Sequence, residues 1–275
     1  MINKPSGPTS FQAVSSCRRF YQERKAGHTG TLDPMASGLM IVLLGRYTKM
    51  APYCVSDHKH YHAEFIFGVS TDTLDSEGTE LARKEVKEHS EEEIQQAVNT
   101  LRHCKEQIPP MYSAIKVNGR KLYELARKGQ EVERKARPVT IYDLSVARKD
   151  ETTWIMDAEV SGGTYIRTLI QDFGNLLDEF ACMTSLVRTG IEHLDLSMAA
   201  DLEHLEEGKG IVSPLDVLDP AFERVEIEDP SDVMHGRAIQ LNTGEDKVIL
   251  LHKDNVLAAY EKREDGLFHC LRGLF

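Results

Sequence analysis

Apolar and polar positions mark out a mixed set of elements along the chain. From Lys59 to Val69, Tyr61, Ala63, Phe65 and Phe67 alternate with His60, His62, Glu64 and Ile66, which predicts a strand. From Ser90 to His103 the repeat changes: Ile94, Ala97, Val98 and Leu101 follow i, i+3, i+4, i+7, one face of a helix. Ser90 and Glu93 are spaced as a capping box at its start, and "IPPMYS" ends it. Phe11, Val14 and Phe20 predict an earlier helix over Thr9 to Arg19, capped by Thr9 or Ser10. Lys25 to Gly38 reads as loop and Leu39 to Leu44 as one buried strand. The segment "NGRKLYELARKG" predicts a turn at Asn118-Gly119 and a short helix ended by Gly129. Strands follow around Val139–Ala147 and Trp154–Ser161, and another capped helix runs through Thr164 to Leu177. Ser197 to Gly210 reads as acidic and helical. Beyond Phe222, short strands and turns (Asn242-Thr243-Gly244, Glu264-Asp265-Gly266) predict a separate small β-rich domain. The longest apolar run, "LMIVLLG", suits a buried strand and is too short to cross a bilayer. The start, "MINKPSG", has no apolar signal region, so export is not expected.

Charge changes the picture more than composition does. The net charge of −11 argues against a polyanionic partner until its distribution is read. Residues 1–70 carry eight Lys/Arg against four Asp/Glu, while residues 201–275 carry eight against 17. Within the acidic middle block, Tyr112 to Arg137 holds eight basic and three acidic residues. Fields act locally, within a Debye length of ~8–10 Å. One basic face can therefore dock a polyanion on an acidic protein, although such clusters also serve simply as solvated surface. The five scattered cysteines form no CxxC and read as reduced thiols, which fits a cytoplasmic protein.

The stretch "KAGHTGTLDPMASG" is the most constrained in the chain. Three glycines, two threonines and a proline surround a single carboxylate, Asp33. That pattern fits a bend presenting an acid, base or nucleophile; Asp-Pro is also a common turn former. In "GGTYIRTL", a Gly-Gly turn leads into a helix whose third residue, Arg167, is a natural counter-charge for a carboxylate. Tyr61 can stack on a nucleobase or fill a core. His58, His60 and His62 share one strand face, a spacing open to metal binding, but no nearby acid or cysteine completes a ligand set except distant Cys54. Walker A and GxGxxG signatures are absent.

Six blocks, "NKPSGPTS", "KAGHTGTLDPMASGLMIVLLGRYTK", "KHYHAEFIFGVSTDTLDSEG", "IPPMYSAIKVNGRKLYELARKG", "SGGTYIRTLIQDFG" and "LVRTG", occur in the order and spacing of one family. Together they resemble the TruB-type tRNA pseudouridine synthases from Asn3 to about Gly190; the tail is only loosely similar to the small PUA-like domain of bacterial members. The resemblance implies an α+β fold: a pseudouridine synthase core over residues 1–210, with a central mixed, mainly antiparallel sheet flanked by helices and an RNA-binding insertion around 80–137. A small C-terminal β-rich PUA-like domain over 211–275 is implied as well. The implied reaction isomerises uridine-55 in the T arm of tRNA, with no cofactor and no metal, in a cytoplasmic enzyme for which a monomer suffices and no membrane is needed.

By the same resemblance, Asp33 is the catalytic aspartate. Tyr61 is the residue stacked on the target base, Arg167 the arginine paired with the aspartate, and Leu186 the apolar shield. His28 helps fill the space the base leaves. Lys4 and Pro5 form the ordered N-terminal block near the site, with Lys49 in support and Tyr165 beside the substrate. Asp75 and Gly30 are structural. Lys116, Arg120, Lys121, Arg127 and Lys128 would meet the RNA backbone. The alternative is an RNA-binding subunit of a guide-RNA modification particle, or an RNA chaperone.

Overall fold

In the computed structural model, which describes residues 1–117 and 119–274, the helix starts predicted at Thr9 or Ser10 and at Ser90 are present. The first helix, α1 (Ser10–Phe20), is capped by Thr9, whose hydroxyl accepts from the Gln12 N–H while the Gln12 side chain accepts from the Thr9 N–H. The second, α2 (Glu91–Arg102), has the same reciprocal cap between Ser90 and Glu93 and buries Ile94, Ala97, Val98 and Leu101. Each such cap satisfies two helix-end donors that would otherwise face water or nothing. The chain is α+β and divides into two compact units: Met1–Pro34, Gly38–Ser56 and Leu196–Phe275 form one, and Met35–Ser37 with Asp57–Asp195 form the other.

The second unit is built on antiparallel strands in the order Ile141–Arg148, Thr153–Val160, Lys59–Phe67, Ala181–Ile191. On the central strand Ala63, Phe65 and Phe67 are buried, as the alternation predicts. Phe173, from α4 (Ile166–Leu176), packs edge-on against Phe65 at 5.8 Å and beside Phe67 at 6.1 Å. Each aromatic ring so buried contributes roughly 1.5–3 kcal/mol. The strand stops at Phe67, short of Val69. Gly68 has φ +85°, and a Cβ there would lie 2.8 Å from the Val86 side chain and 2.9 Å from the Lys84 carbonyl. The chain then bends into Val69–Thr71, paired with Glu80–Arg83. The hairpin strands Lys116–Val117 and Arg120–Lys121 pair as expected and lead to α3 (Leu122–Ala126); Asn118, at the expected turn, lies outside the described residues.

In the first unit, Ile2–Lys4 forms a strand antiparallel to Gly38–Met40 and parallel to Ala200–Asp201. Ala13, Val14 and Cys17 of α1 pack on Ile2 and Met40. Leu39 to Leu44 is two strands rather than one: Ser37–Met40 ends before Ile41, and Val42–Leu44 pairs instead with Ala26–His28, a strand inside the expected loop. Because the whole run is apolar, no polar residue marks the change of partner. The expected helix over Ser197–Gly210 is also absent. Only 3₁₀ turns at Leu196–Met198 and Leu202–His204 appear, because the intervening Ala200–Asp201 spends its backbone on Ile2–Asn3. Toward the C-terminus, Glu223–Glu226, Lys247–His252, Asn255–Lys262 and Phe268–Gly273 form a four-stranded sheet over Val248, Leu250, Ala258, Tyr260 and Phe268. The buried Tyr260 hydroxyl donates to the Arg237 carbonyl at 3.0 Å, and burial pushes it up to about 12. Val233, on α5 (Ser231–Met234), closes that core. The five cysteines are unpaired thiols. Among the described residues no helix is long and apolar enough to cross a membrane.

Candidate active site

In the first unit the Asp33 bend is tied down from the N-terminal block. Lys4 is fully buried, and its ammonium donates to the carbonyls of Pro5 (2.8 Å), Pro8 (2.8 Å) and Pro34 (3.2 Å). The Gly7 N–H also donates to the Pro34 carbonyl, at 2.8 Å. On the other side of the aspartate, the Ser10 hydroxyl donates to the Leu32 carbonyl at 2.8 Å and accepts the Leu32 N–H at 2.9 Å. Both neighbours of Asp33 are thereby fixed, and Asp33 itself is half-buried. A bend held at both shoulders offers its middle side chain in one orientation at little entropic cost. His28 lies at the end of Ala26–His28, opposite Val42, and the next residue, Thr29, donates its N–H to the Ile41 carbonyl, leading to half-buried Gly30. Lys49 is exposed, within the 3₁₀ stretch Gly45–Tyr53.

Two groups of expected residues belong to the second unit. Tyr61 pairs across strands with Arg188 and Ala158, and its neighbour Ala63 pairs with Leu186. Paired residues leave a sheet on the same face. Half-buried Tyr61 and buried Leu186 are therefore diagonal neighbours on one surface.

Arg167 forms the second group. Its Nη1 donates to the Thr73 carbonyl at 2.7 Å and lies 3.5 Å from Asp75 Oδ2, while Nη2 donates to the Tyr112 carbonyl at 2.9 Å. Asp75 in turn accepts the Thr73 hydroxyl at 2.6 Å and the Glu77 N–H at 3.2 Å. The turn around it is tight: a Cβ on Gly78 would collide with the Thr73 hydroxyl and come within 2.6 Å of Asp72 Oδ1. Tyr112 adds a 2.9 Å bond from its hydroxyl to Asp72, which pushes that phenol up. The "TDTLD" turn, the "IPPMYS" block and α4 therefore meet on one guanidinium.

The start of α4 differs from expectation. Thr164 is not its cap; Tyr165 is, and Tyr165 offers no side-chain bond to the helix. Buried Gln107 does the work, accepting the Tyr165 N–H at 2.8 Å and donating to the Tyr165 carbonyl at 3.1 Å. Gln107 is a residue the sequence patterns pass over, because a lone glutamine after a helix carries no signal of where its amide points. Arg188 lies in the "LVRTG" block and shares the parity of Leu186, which was the available clue to its position; it is 1% exposed.

The basic segment is largely solvent-facing. Lys116, Arg120, Arg127 and Lys128 are exposed and Lys121 half-buried. The Lys121 ammonium and the Arg127 guanidinium lie 5.4 and 5.5 Å from the Tyr123 ring centre. The three histidines each turn to acids of the adjacent strand: His58 to Glu159 at 2.9 Å, His60 to Glu159 at 4.0 Å and His62 to Asp157 at 2.7 Å. The bond to Glu159 pushes His58 up. Among the described residues no group of three or more His, Cys, Asp or Glu is arranged to hold a metal ion.

Residues 18–166 match the TruB family pseudouridylate synthase (N terminal domain). The chain belongs to this family. It is similar to the tRNA pseudouridine synthase B of Caldanaerobacter subterraneus, at 39% identity over 87% of this chain and 85% of that one. The Lactobacillus acidophilus tRNA pseudouridine synthase B is 36% identical over 96% of this chain and 93% of its own. Among solved structures, a Cbf5-Nop10-Gar1 complex aligns with a TM-score of 0.70 at 22% identity, covering all of this chain and 84% of that one. An H/ACA RNP bound to a substrate RNA containing 2′-deoxyuridine aligns at 0.68 and 20%, covering all of this chain and 83% of that one. At those identities the likeness is one of fold. As a member of the TruB family, the protein is an isomerase that makes pseudouridine.

Proposed function

We propose that this protein converts uridine-55 in the T arm of tRNA to pseudouridine, with Asp33 as its catalytic residue. The relatives at 36–39% identity carry the name tRNA pseudouridine synthase B, and their alignments run over most of both chains. The observation that carries the residue assignment is the double-shouldered bend, in which Lys4, Gly7 and Ser10 hold Leu32 and Pro34 on either side of Asp33. Such a clamp suits a carboxylate that must meet one atom of a substrate.

The target base is stacked in folded RNA, so it must be everted. Stacking on Tyr61, worth about 1–3 kcal/mol, offsets part of that cost. Leu186 keeps water from the base. With Arg167 as its counter-charge, Asp33 stays ionised and acts as nucleophile or base. The C1′–N1 bond breaks, the uracil turns, and C5 joins C1′; C5 loses a proton and N1 gains one. Product and substrate are isomers, so the balance calls for no oxidant or reductant. His28 enters the space left by the base, Lys49 and Pro5 support the site, and Tyr165 lies beside the substrate. The exposed Lys116, Arg120, Arg127 and Lys128, with Lys121, contact RNA phosphates and make binding salt-sensitive. Residues 211–275 act as a PUA-like RNA-binding domain, and the enzyme works as a cytoplasmic monomer.

The experiment is to incubate the protein with an unmodified tRNA transcript, without guide RNA, and map pseudouridine. Formation at position 55 by the wild type, and none by Asp33→Asn with tRNA affinity held within a few-fold, is the expected result. Activity only with a guide RNA would overturn the stand-alone reading. Equal losses of binding and rate in Asp33→Asn would make the aspartate structural.

A further inference from the structure

Lys59 stands two residues before Tyr61, so its side chain leaves the strand on the same face. Cross-strand register puts Val160 and Ile191 beside Lys59, Ala158 and Arg188 beside Tyr61, and Met156 and Leu186 beside Ala63. One end of this face thus brings two cations, Lys59 and Arg188, next to the aromatic ring and the apolar shield. Lys59 is half-buried. Among the described residues its ammonium makes no hydrogen bond and no ion pair. Asp57, two residues upstream, commits its carboxylate to the Gly162 N–H at 2.8 Å and the Tyr142 hydroxyl at 3.2 Å. Burial first, and the Arg188 charge second, push the Lys59 ammonium down to about 8, against a weaker opposing pull from Asp57.

Holding the Lys59 ammonium in a partly buried place costs free energy until an anion arrives. The only anionic groups RNA carries are its phosphates. We propose that Lys59 binds a backbone phosphate flanking the everted uridine, with Arg188 strengthening the positive field there. This rests on the uridine-isomerase reading above. It gives the two-residue spacing of Lys59 and Tyr61 a chemical meaning: the ring takes the base and the ammonium takes the phosphodiester of the same nucleotide. Buried, apolar Ala158 and Val160 beside them limit the water around the contact, which strengthens a charge-assisted bond.

The test pairs a protein change with a substrate change. A T-arm hairpin is made with a neutral methylphosphonate at one of the two phosphates flanking the target uridine. The sugar on the 5′ side of that linkage is 2′-O-methylated to keep it intact. The control is the same 2′-O-methyl RNA with an ordinary phosphate. For wild type, neutralising one of the two phosphates lowers kcat/KM roughly 10–100-fold, the scale of a charge-assisted bond. Lys59→Met on the ordinary phosphate loses a similar factor, Lys59→Arg retains most activity, and Lys59→Met on the neutral linkage loses little more than either change alone. Losses that multiply at both phosphates overturn the proposal. So does a wild type indifferent to both neutral linkages, a result that does not depend on how well the variant folds. A wild type that makes no pseudouridine on the unmodified hairpin takes down the isomerase reading and this one with it, and is told apart because it precedes any substitution.

Discussion

Arg167 is clamped to Asp75: Nη1 and Oδ2 lie 3.5 Å apart, with the two side chains 4% and 7% exposed. Removing Asp75 takes a carboxylate away from a buried guanidinium and leaves the Thr73 hydroxyl and the Glu77 N–H without their acceptor oxygen. Asp75→Ala is expected to destabilise the protein by ~3–5 kcal/mol in thermal or urea unfolding. Arg167→Lys keeps the charge but cannot reach the Thr73 and Tyr112 carbonyls and the Asp75 carboxylate together. It should lower both stability and the rate of pseudouridine formation, and a lysine variant with normal values of both would show the clamp to be incidental.

Gln107 brackets the Tyr165 peptide from both sides. Gln107→Leu removes both of these bonds from a half-buried peptide whose carbonyl keeps the Leu169 N–H, at a cost of about 1–3 kcal/mol. Because Arg167 is two residues further on, kcat is expected to fall more than KM rises. Gln107→Glu keeps the acceptor and loses the donor, so it should fall between Leu and wild type in a melting series.

Tyr61 separates stacking from hydroxyl chemistry. Tyr61→Phe keeps a ring and is expected to hold RNA affinity near the wild-type value. Tyr61→Leu should weaken binding by the ~1–3 kcal/mol of a base–aromatic contact. Equal affinities for the two variants in a filter-binding titration would remove the stacking role.

Asp172, on α4, is half-buried, and burial pushes its carboxyl up to about 6 from 3.8. Its folded-state value lies above the unfolded one, so the fold favours the protonated form. The contribution is fully present below about 4, is lost as pH rises through about 6, and stays lost above. Two units would amount to ~3 kcal/mol, and solvent access to a half-buried group reduces that to ~1–2 kcal/mol. Asp172→Asn should therefore be the more stable protein at pH 7.5, with the gap closing toward pH 4 in denaturant melts.

What could be read in advance follows from the range of the forces involved. The helix starts at Thr9 and Ser90 were legible because both halves of each cap lie within four residues. The Tyr61–Phe67 face was legible because strand parity is local. The split at Ile41 was not, since it depends on which distant strand each half of an all-apolar run finds. Ser197–Gly210 looked helical by composition and lost to pairing with Ile2–Asn3, nearly 200 residues away in sequence. In the candidate site, charged and aromatic residues announced themselves. Gln107 and Lys59 did not, because a glutamine bridging one peptide and a lysine with a depressed proton affinity acquire their character only from surroundings the chain supplies elsewhere.

The Lys4 ammonium, spread over three carbonyls, makes the strand Ile2–Lys4 a fastener. Fluorophores or immobilisation chemistry attached within that strand would pull on the anchor of the very bend that carries Asp33. Loss of activity in such a preparation would report mechanical loosening rather than a damaged reactive group, and attachments are better made at exposed positions such as Glu264.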